Sequence, residues 1–310
     1  KVDVITSVGD KHLGGRRFDE EIINILDKKY KKAKGKGLVN PLKDEKLFAS
    51  AERIKKILSN KDKAAEVVVG PNGPHTIDVS RKEFEDSIDT YIEKIKMLME
   101  EALERADCKP NNISQTLLVG GSTRMPIVSQ VITKIMKKAP VKGVNVDEAV
   151  ACGAAIYAGL QNKGSLNTAQ KKAILNVELN DICSSYFGTL MFAHDRETNS
   201  GGTVNDCVIP RDTKLPCSVT KNYQVMFDDQ EVIDCTVTQS EGEESDIEFV
   251  MVIAKEPLKL SKNAKAGDPI EVTYSYDTNG MMHCVFQDMK SKKKHEINLK
   301  PDGSKDFEIE

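Results

Sequence analysis

Leu117-Leu118-Val119-Gly120-Gly121-Ser122-Thr123-Arg124-Met125-Pro126 is the stretch around which the rest of this chain is organised. Three apolar residues and two glycines read as a buried strand that stops at a tight turn. Pro126 suits the first turn of a following helix that carries Ile127, Val131, Ile132 and Ile135. Strand, glycine turn and helix start are the parts of an anion site, because glycine lets a ligand approach the backbone and a helix start offers unpaired N–H groups. Arg124 adds a flat cation on the same turn. An ordinary strand-to-helix turn has the same signature, and GGSTR lacks the lysine of a P-loop. The surrounding sequence has to decide between them.

The chain has 310 residues, enough for two domains with separate cores. Its 45 Lys and Arg nearly balance 48 Asp and Glu, so no overall field selects nucleic acid or an anionic membrane, and neither is expected as a partner. Seven cysteines are scattered without a C-x-x-C pair, which argues against a disulfide framework or a zinc site and for a reducing, cytoplasmic setting. No apolar run reaches the length of a membrane span. Val2, Val4 and Thr6 alternate as if finishing a strand, so the sequence reads as the later part of something longer.

A second Gly-Gly, Gly14-Gly15, precedes a helical pattern from Phe18 to Leu26. The lysine run from Lys28 to Lys36 reads as a solvated helix end, since its one tyrosine makes a poor stacking platform. Residues 44–59 form an amphipathic helix with Leu47, Phe48, Ala51, Ile54 and Leu58 on one stripe. On another face Glu52, Lys55, Lys56 and Ser59 fall at helical spacing, either as a surface ion pair or as one wall of a polar site. Residues 67–79 read as a hairpin around Gly70-Pro71-Asn72-Gly73-Pro74. Ser80-Arg81-Lys82-Glu83 is a capping box for one long helix whose stripe runs from Phe84 to Ala106. A helix over 148–160, rich in alanine and glycine, implies close backbone packing.

Composition changes after Leu160. A polar connection follows, and from Ile174 short alternating strands replace helices, with Asp277-Thr278-Asn279-Gly280 as a hairpin turn. Eight candidate strands at regular spacing predict a β-sandwich.

Taken together these landmarks resemble the 70-kDa heat-shock (Hsp70/DnaK) chaperone family. Residues 9–19 are similar to the family's GDxHLGGxxFD, residues 51–59 to its ERAKxxLS helix, residues 119–126 to VGGSTRxP, and residues 147–155 to DEAVAxGAA. The β-rich part is similar at Ile209-Pro210-Arg211-Asp212-Thr213-Lys214-Leu215-Pro216 and at Tyr276-Asp277-Thr278-Asn279-Gly280. The resemblance implies a partial, actin-like α/β ATPase lobe over 1–160, a linker over 161–180 and an all-β sandwich over 181–310 that holds peptides.

It also implies residue roles. Glu52, Lys55 and Ser59 would bond the ribose and base of ATP or ADP, Lys56 and Arg124 would sandwich the ring, Gly120, Gly121 and Ser122 would run beside the phosphates, and Asp147 would lie nearby. An apolar peptide side chain would enter a pocket near Thr189, Met191, Phe192, Tyr223, Met226, Ile233 and Cys235, with Phe192 and Met226 as an arch. Implied partners are extended peptides, J-domain proteins and nucleotide-exchange co-chaperones. The family's phosphate loops, magnesium-organising aspartates and catalytic lysine would precede Lys1 and its helical lid would follow Glu310, so this stretch alone is expected to contribute no catalytic or metal-ligating residue.

Several positions depart from the pattern. Lys56 replaces an arginine and stacks less well, and Arg16-Arg17 replaces an acidic pair. The connection Ala173-Ile174-Leu175-Asn176-Val177-Glu178 is more polar than the family's leucine-rich run, and the loop over 195–202 looks inserted. These departures favour the rival reading of a non-enzymatic scaffold derived from the fold. An actin-like sugar kinase would share the lobe but gives no reason for the sandwich.

Overall fold

A computed structural model describes residues 1–10, 12–141, 145, 148–195 and 200–300. The chain forms two compact units, Val8–Asn176 and a second made of Lys1–Ser7 with Val177–Glu310. Strand β1 (Val2–Asp3) therefore counts with the second unit. The first unit is mixed α/β. It contains α1 (Gly15–Lys34), α2 (Glu45–Leu58), the hairpin β2 (Lys63–Gly70) and β3 (Gly73–Ser80), then α3 (Arg81–Ser87), α4 (Asp89–Arg105), α5 (Pro126–Met136), α6 (Ala149–Gln161) and α7 (Thr168–Ile174). The second is β-rich: β4 (Leu179–Asn180), β5 (Tyr186–Asp195), β6 (Ser200–Ile209), β7 (Cys217–Gln224), β8 (Val232–Ser240), β9 (Met251–Lys259), β10 (Pro269–Tyr276), β11 (Met282–Asp288) and β12 (Lys294–Leu299).

The core of the first unit follows the sequence stripes. Phe18, Ile22 and Leu26 of α1 meet Leu47, Ala51, Ile54 and Leu58 of α2, and the hairpin adds Ala64, Val68, Ile77 and Val79 from one face. Asp44 caps α2 by accepting from Lys46 N–H. Half of the expected capping box forms at Ser80, which accepts from Glu83 N–H at 3.2 Å. The Glu83 carboxylate instead takes Lys29 Nζ at 2.6 Å. The long helix expected after it divides at Ile88, where Ser87 Oγ donates to Phe84 O at 2.7 Å and competes with the backbone ladder.

Two expectations are corrected. Residues 113–119 form no strand, and Leu117 and Val119 are exposed while Leu118 is half-buried. Among the described residues of this unit the only strand pair is β2–β3, so this stretch has no ladder partner, and a strand without one cannot satisfy its backbone. Helix α6 does form, but its small side chains face solvent over most of its length rather than a close neighbour. The expected linker, residues 161–180, carries α7 with an Asn167–Gln170 capping box, and β4.

In the second unit two four-stranded antiparallel sheets, ordered β6-β5-β8-β9 and β12-β11-β10-β7, share one core. Phe187, Cys235, Val237 and Leu258 come from one sheet and Ile270, Val272, Tyr274, Phe286 and Leu299 from the other. Tyr274 ties them together: its buried hydroxyl lies 2.9 Å from Gly188 O and 3.0 Å from Thr236 O, both on the opposite sheet. Strand β7 ends at Gln224, and Ile247–Phe249 make a 3-10 turn before β9. Strand β4 pairs in parallel with β1, Val2 N–H donating to Glu178 O at 2.7 Å and Val4 N–H to Asn180 O at 2.9 Å.

Asp288 closes the turn into β12 from a buried position. Burial works to raise its carboxyl, but Ser291 Oγ at 2.6 Å and the N–H groups of Lys290 and Ser261 outweigh it and hold the group below the usual carboxylate range. A depressed carboxylate stabilises the fold above its unfolded pKa, and that contribution is lost as pH falls through the folded value. Asp288→Asn is therefore expected to flatten the acid limb of the stability profile below about pH 4, as read by urea melts across pH.

Candidate functional site

In the first unit α2 presents Phe48, Glu52, Lys55, Lys56 and Ser59 along adjacent rows. Facing it is a 3-10 turn, Gly121–Arg124, opened by Gly120 at φ 95°, a conformation that costs an L side chain strain. Thr123 N–H and Oγ1 both donate to Gly120 O, and Met125 then leads into α5 with Pro126 in its first turn. The glycines thus belong to this turn and not to the α5 start. A turn of this kind leaves its first amides without acceptors inside it.

Glu52, Lys55, Lys56 and Ser59 on one wall and Gly121, Ser122 and Arg124 on the other line a single cleft of about 900 Å³. Gly120 sits one residue outside that lining, and Asp147 lies outside the described residues. Asn60 and Met125, which sequence reasoning missed, complete it. Asn60 was foreshadowed only by its place one residue beyond Ser59, where its side chain donates to Lys56 O at 3.2 Å.

The polar groups of the cleft are already engaged to different degrees. Lys55 Nζ contacts Asp19 Oδ1 at 2.8 Å and Gly15 O at 3.1 Å, with both charged side chains only 12% exposed. Burial pushes the Asp19 carboxyl above its ordinary value, and Lys55 opposes that shift. Gly15 completes the junction: a Cβ there would stand 2.9 Å from Ser122 Oγ and 3.3 Å from Lys55 Nζ. Glu52 and Lys56 pair at 2.9 Å on the exposed ridge, and the lysine holds the Glu52 carboxyl below its usual range. Exposed pairs of this sort contribute little to stability. Ser59 Oγ donates back to Lys55 O at 3.0 Å. Arg16 lies 4.7 Å from the centre of the Phe48 ring, and both Arg16 and Arg17 reach Glu20, which offsets part of the reversed charge.

The second unit holds a different opening. Strand β5 pairs with β8 only from Tyr186 to Gly188, against Ser240 to Thr238, although β5 continues to Asp195 and β8 begins at Val232. Where the ladder stops, Leu190 N–H turns to the Thr236 hydroxyl at 2.8 Å, and Thr189 Oγ1 lies 3.2 Å from the same oxygen. Beyond that point the facing edges of β5 and β8 make no pairs among the described residues.

Thr189 and Cys235 are buried beside this gap, Met191, Tyr223 and Ile233 are half-buried, and Phe192 and Met226 are exposed. Burial pushes the Cys235 thiol up to about 12, so it stays a neutral, apolar surface. The Phe192 ring lies over Gly201, whose missing Cβ would otherwise stand 2.6 Å from it. Sequence reasoning missed Asp206, which accepts from Tyr223 OH at 2.7 Å and from Lys221 Nζ at 2.8 Å. The available signal was the period of a strand: Lys221 and Tyr223 share a face of β7, and a carboxylate stands just before the apolar end of β6, Cys207-Val208-Ile209. Part of the loop over 195–202 lies outside the described residues.

No group of three or more His, Cys, Asp or Glu side chains is placed to hold a metal ion among the described residues, and no helix among them is long and apolar enough to cross a membrane. A polar cleft between a Glu-Lys-Lys-Ser helix face and a Gly-Gly-Ser-Thr-Arg turn, followed by a split antiparallel sheet, occurs here in one chain. The family model described as Hsp70 protein matches residues 1–310, and with that match over its whole length the chain belongs to the Hsp70 family.

Proposed function

We propose that this chain supplies the adenosine wall and the peptide-holding sandwich of an Hsp70-type chaperone. The observation that carries the reading is the single cleft lined by the polar face of α2 and by the Gly121–Arg124 turn. An adenine nucleotide fits the donor set. Arg124 and Lys56 offer cations for the ring, the Glu52 carboxylate accepts ribose hydroxyls, and the Gly121 and Ser122 backbone permits close approach of phosphate oxygens. Bound ATP supplies the phosphoryl chemistry and Mg²⁺ its charge; the residues of this chain orient the nucleoside and exclude water from one side of it.

Extended apolar peptides would lie at the gap between β5 and β8, with Phe192 and Met226 offering exposed apolar surface and Thr189 and Cys235 buried. The lobe is of actin-like type and the double sheet is a sandwich in this reading. Coupling between nucleotide and peptide would run through the linker over residues 161–180, and J-domain and exchange proteins would act on that equilibrium. Fluorescence anisotropy with a labelled seven-residue apolar peptide tests the groove. Phe192→Ser is expected to weaken binding about tenfold, or about 1.4 kcal/mol, with thermal stability unchanged. Equal affinity in the two proteins would remove the peptide assignment.

One observation favours the scaffold reading: Lys55 is held by Asp19 and Gly15 O instead of pointing a free ammonium into the cleft. Under that reading adenosine does not bind while the peptide still does.

A further inference from the structure

Two surfaces of this chain, one in each unit, are apolar, exposed and opposite in charge. In the β-rich unit the connection from β8 to β9 carries Glu241, Glu243, Asp246 and Glu248, and their carboxylates make no ion pair among the described residues. Ile247, Phe249, Met251 and Val252 follow, all exposed. This segment is held in place. Asn205 N–H donates to Ser245 O at 2.8 Å, Asn205 Nδ2 donates to Glu244 O at 2.7 Å, and Asp246 caps the 3-10 turn by accepting from Glu248 N–H at 2.9 Å. Strand β9 is also the edge of its sheet, so Met251 and Val252 adjoin an open row of backbone groups.

In the first unit the end of α1 carries Lys28, Lys31 and Lys32, with Lys36 just past its C-cap, all exposed and likewise in no ion pair among the described residues. Val39, Leu42, Val67 and Val69 are exposed as well. The turn of the hairpin meets the end of α1: Asn72 Nδ2 donates to Lys34 O at 2.8 Å, and Leu38 lies against Gly70 so closely that a Cβ there would stand 2.8 Å from it. The hairpin tip, next to Val69, therefore adjoins the lysine-rich end of α1.

A group of exposed apolar side chains is a candidate contact surface, and a rim of one charge sign selects a partner surface of the other. The same chain carries both. We propose that a second copy of this chain covers the acidic face around Phe249 with its own lysine-rich face around Val69. Because the two faces differ, the contact is heterologous and repeats from copy to copy until it closes into a ring or runs on as a chain. Its charged rim makes it sensitive to salt.

Sedimentation velocity on the 310-residue chain tests this. At about 0.05 M salt the weight-average mass is expected to rise with protein concentration, and at about 0.5 M to return to that of one chain. The triple variant Glu241→Lys, Glu243→Lys, Glu248→Lys and the triple variant Lys28→Glu, Lys31→Glu, Lys32→Glu should each stay monomeric at low salt, and an equimolar mixture of the two should associate again. That rescue also shows that both variants are folded. A single-chain mass at every concentration at low salt overturns the proposal, as does association that either charge reversal leaves unchanged.

Discussion

Lys55→Met is expected to destabilise the Val8–Asn176 unit by about 3–5 kcal/mol, the cost of leaving a buried carboxylate without its partner. Asp19, on the buried side of α1 facing Lys55 of α2, keeps that position in the variant, and burial already drives its carboxyl above the ordinary value. With the ammonium gone the shift grows, so the folded variant takes up a proton that the unfolded chain releases. A folded-state pKa raised above the unfolded one contributes stability that is present at low pH and lost as pH rises. The difference between wild type and variant should therefore be largest near neutrality and shrink as pH falls toward the ordinary aspartate range. Urea melts at several pH values read it directly. Adding Asp19→Asn to Lys55→Met should recover most of the loss, because a neutral amide tolerates the burial that an unpaired charge does not.

Gly188→Val should have a comparable effect on the other unit. Gly188 lies at the register shift between β5 and β6, where an added Cβ would meet Asp206 O at 2.5 Å and Asn205 Oδ1 at 2.7 Å. Backbone on one side and a hydrogen-bonded amide on the other cannot both yield. Its carbonyl is in addition one of the two acceptors facing Tyr274 OH, so a shift of the strand loosens the tie between the sheets. The expected loss is about 3 kcal/mol or more. Gly188→Ala should lose less in the same direction, while Gly202→Ala, with nothing within 4 Å of its Cβ, should be nearly neutral toward packing.

The elements whose formation depends on local pattern were legible in the sequence. The α2 stripe, the Asp277–Gly280 turn and most strands of the second unit lie where periodicity places them, and Asp277 Oδ1 accepts from the N–H groups of Asn279 and Met281 as an Asx-type turn requires. What depends on distant partners was not legible. Leu117 and Val119 have the composition of a buried strand, yet no strand among the described residues pairs with them. Ile88 has the spacing of a continuous helix, but one serine hydroxyl redirects the backbone there. The Glu52, Lys55, Lys56 and Ser59 row could be read from helical spacing, whereas the use of Lys55 on Asp19, 36 residues away, could not. Likewise the short β5–β8 ladder follows from Thr236 capping Leu190, a contact across 46 residues that no local signal encodes.

The most direct test is calorimetric titration of the 310-residue chain with adenosine, in parallel with Arg124→Ala. The nucleoside probes the wall formed by α2 and the Gly121–Arg124 turn without calling on any phosphate contact. We expect one site with a Kd on the order of 0.1–1 mM, weakened about tenfold or more in the variant. No heat of binding up to the solubility limit, or an affinity that Arg124→Ala leaves unchanged, would contradict the nucleotide assignment and leave the chain as an Hsp70-family scaffold.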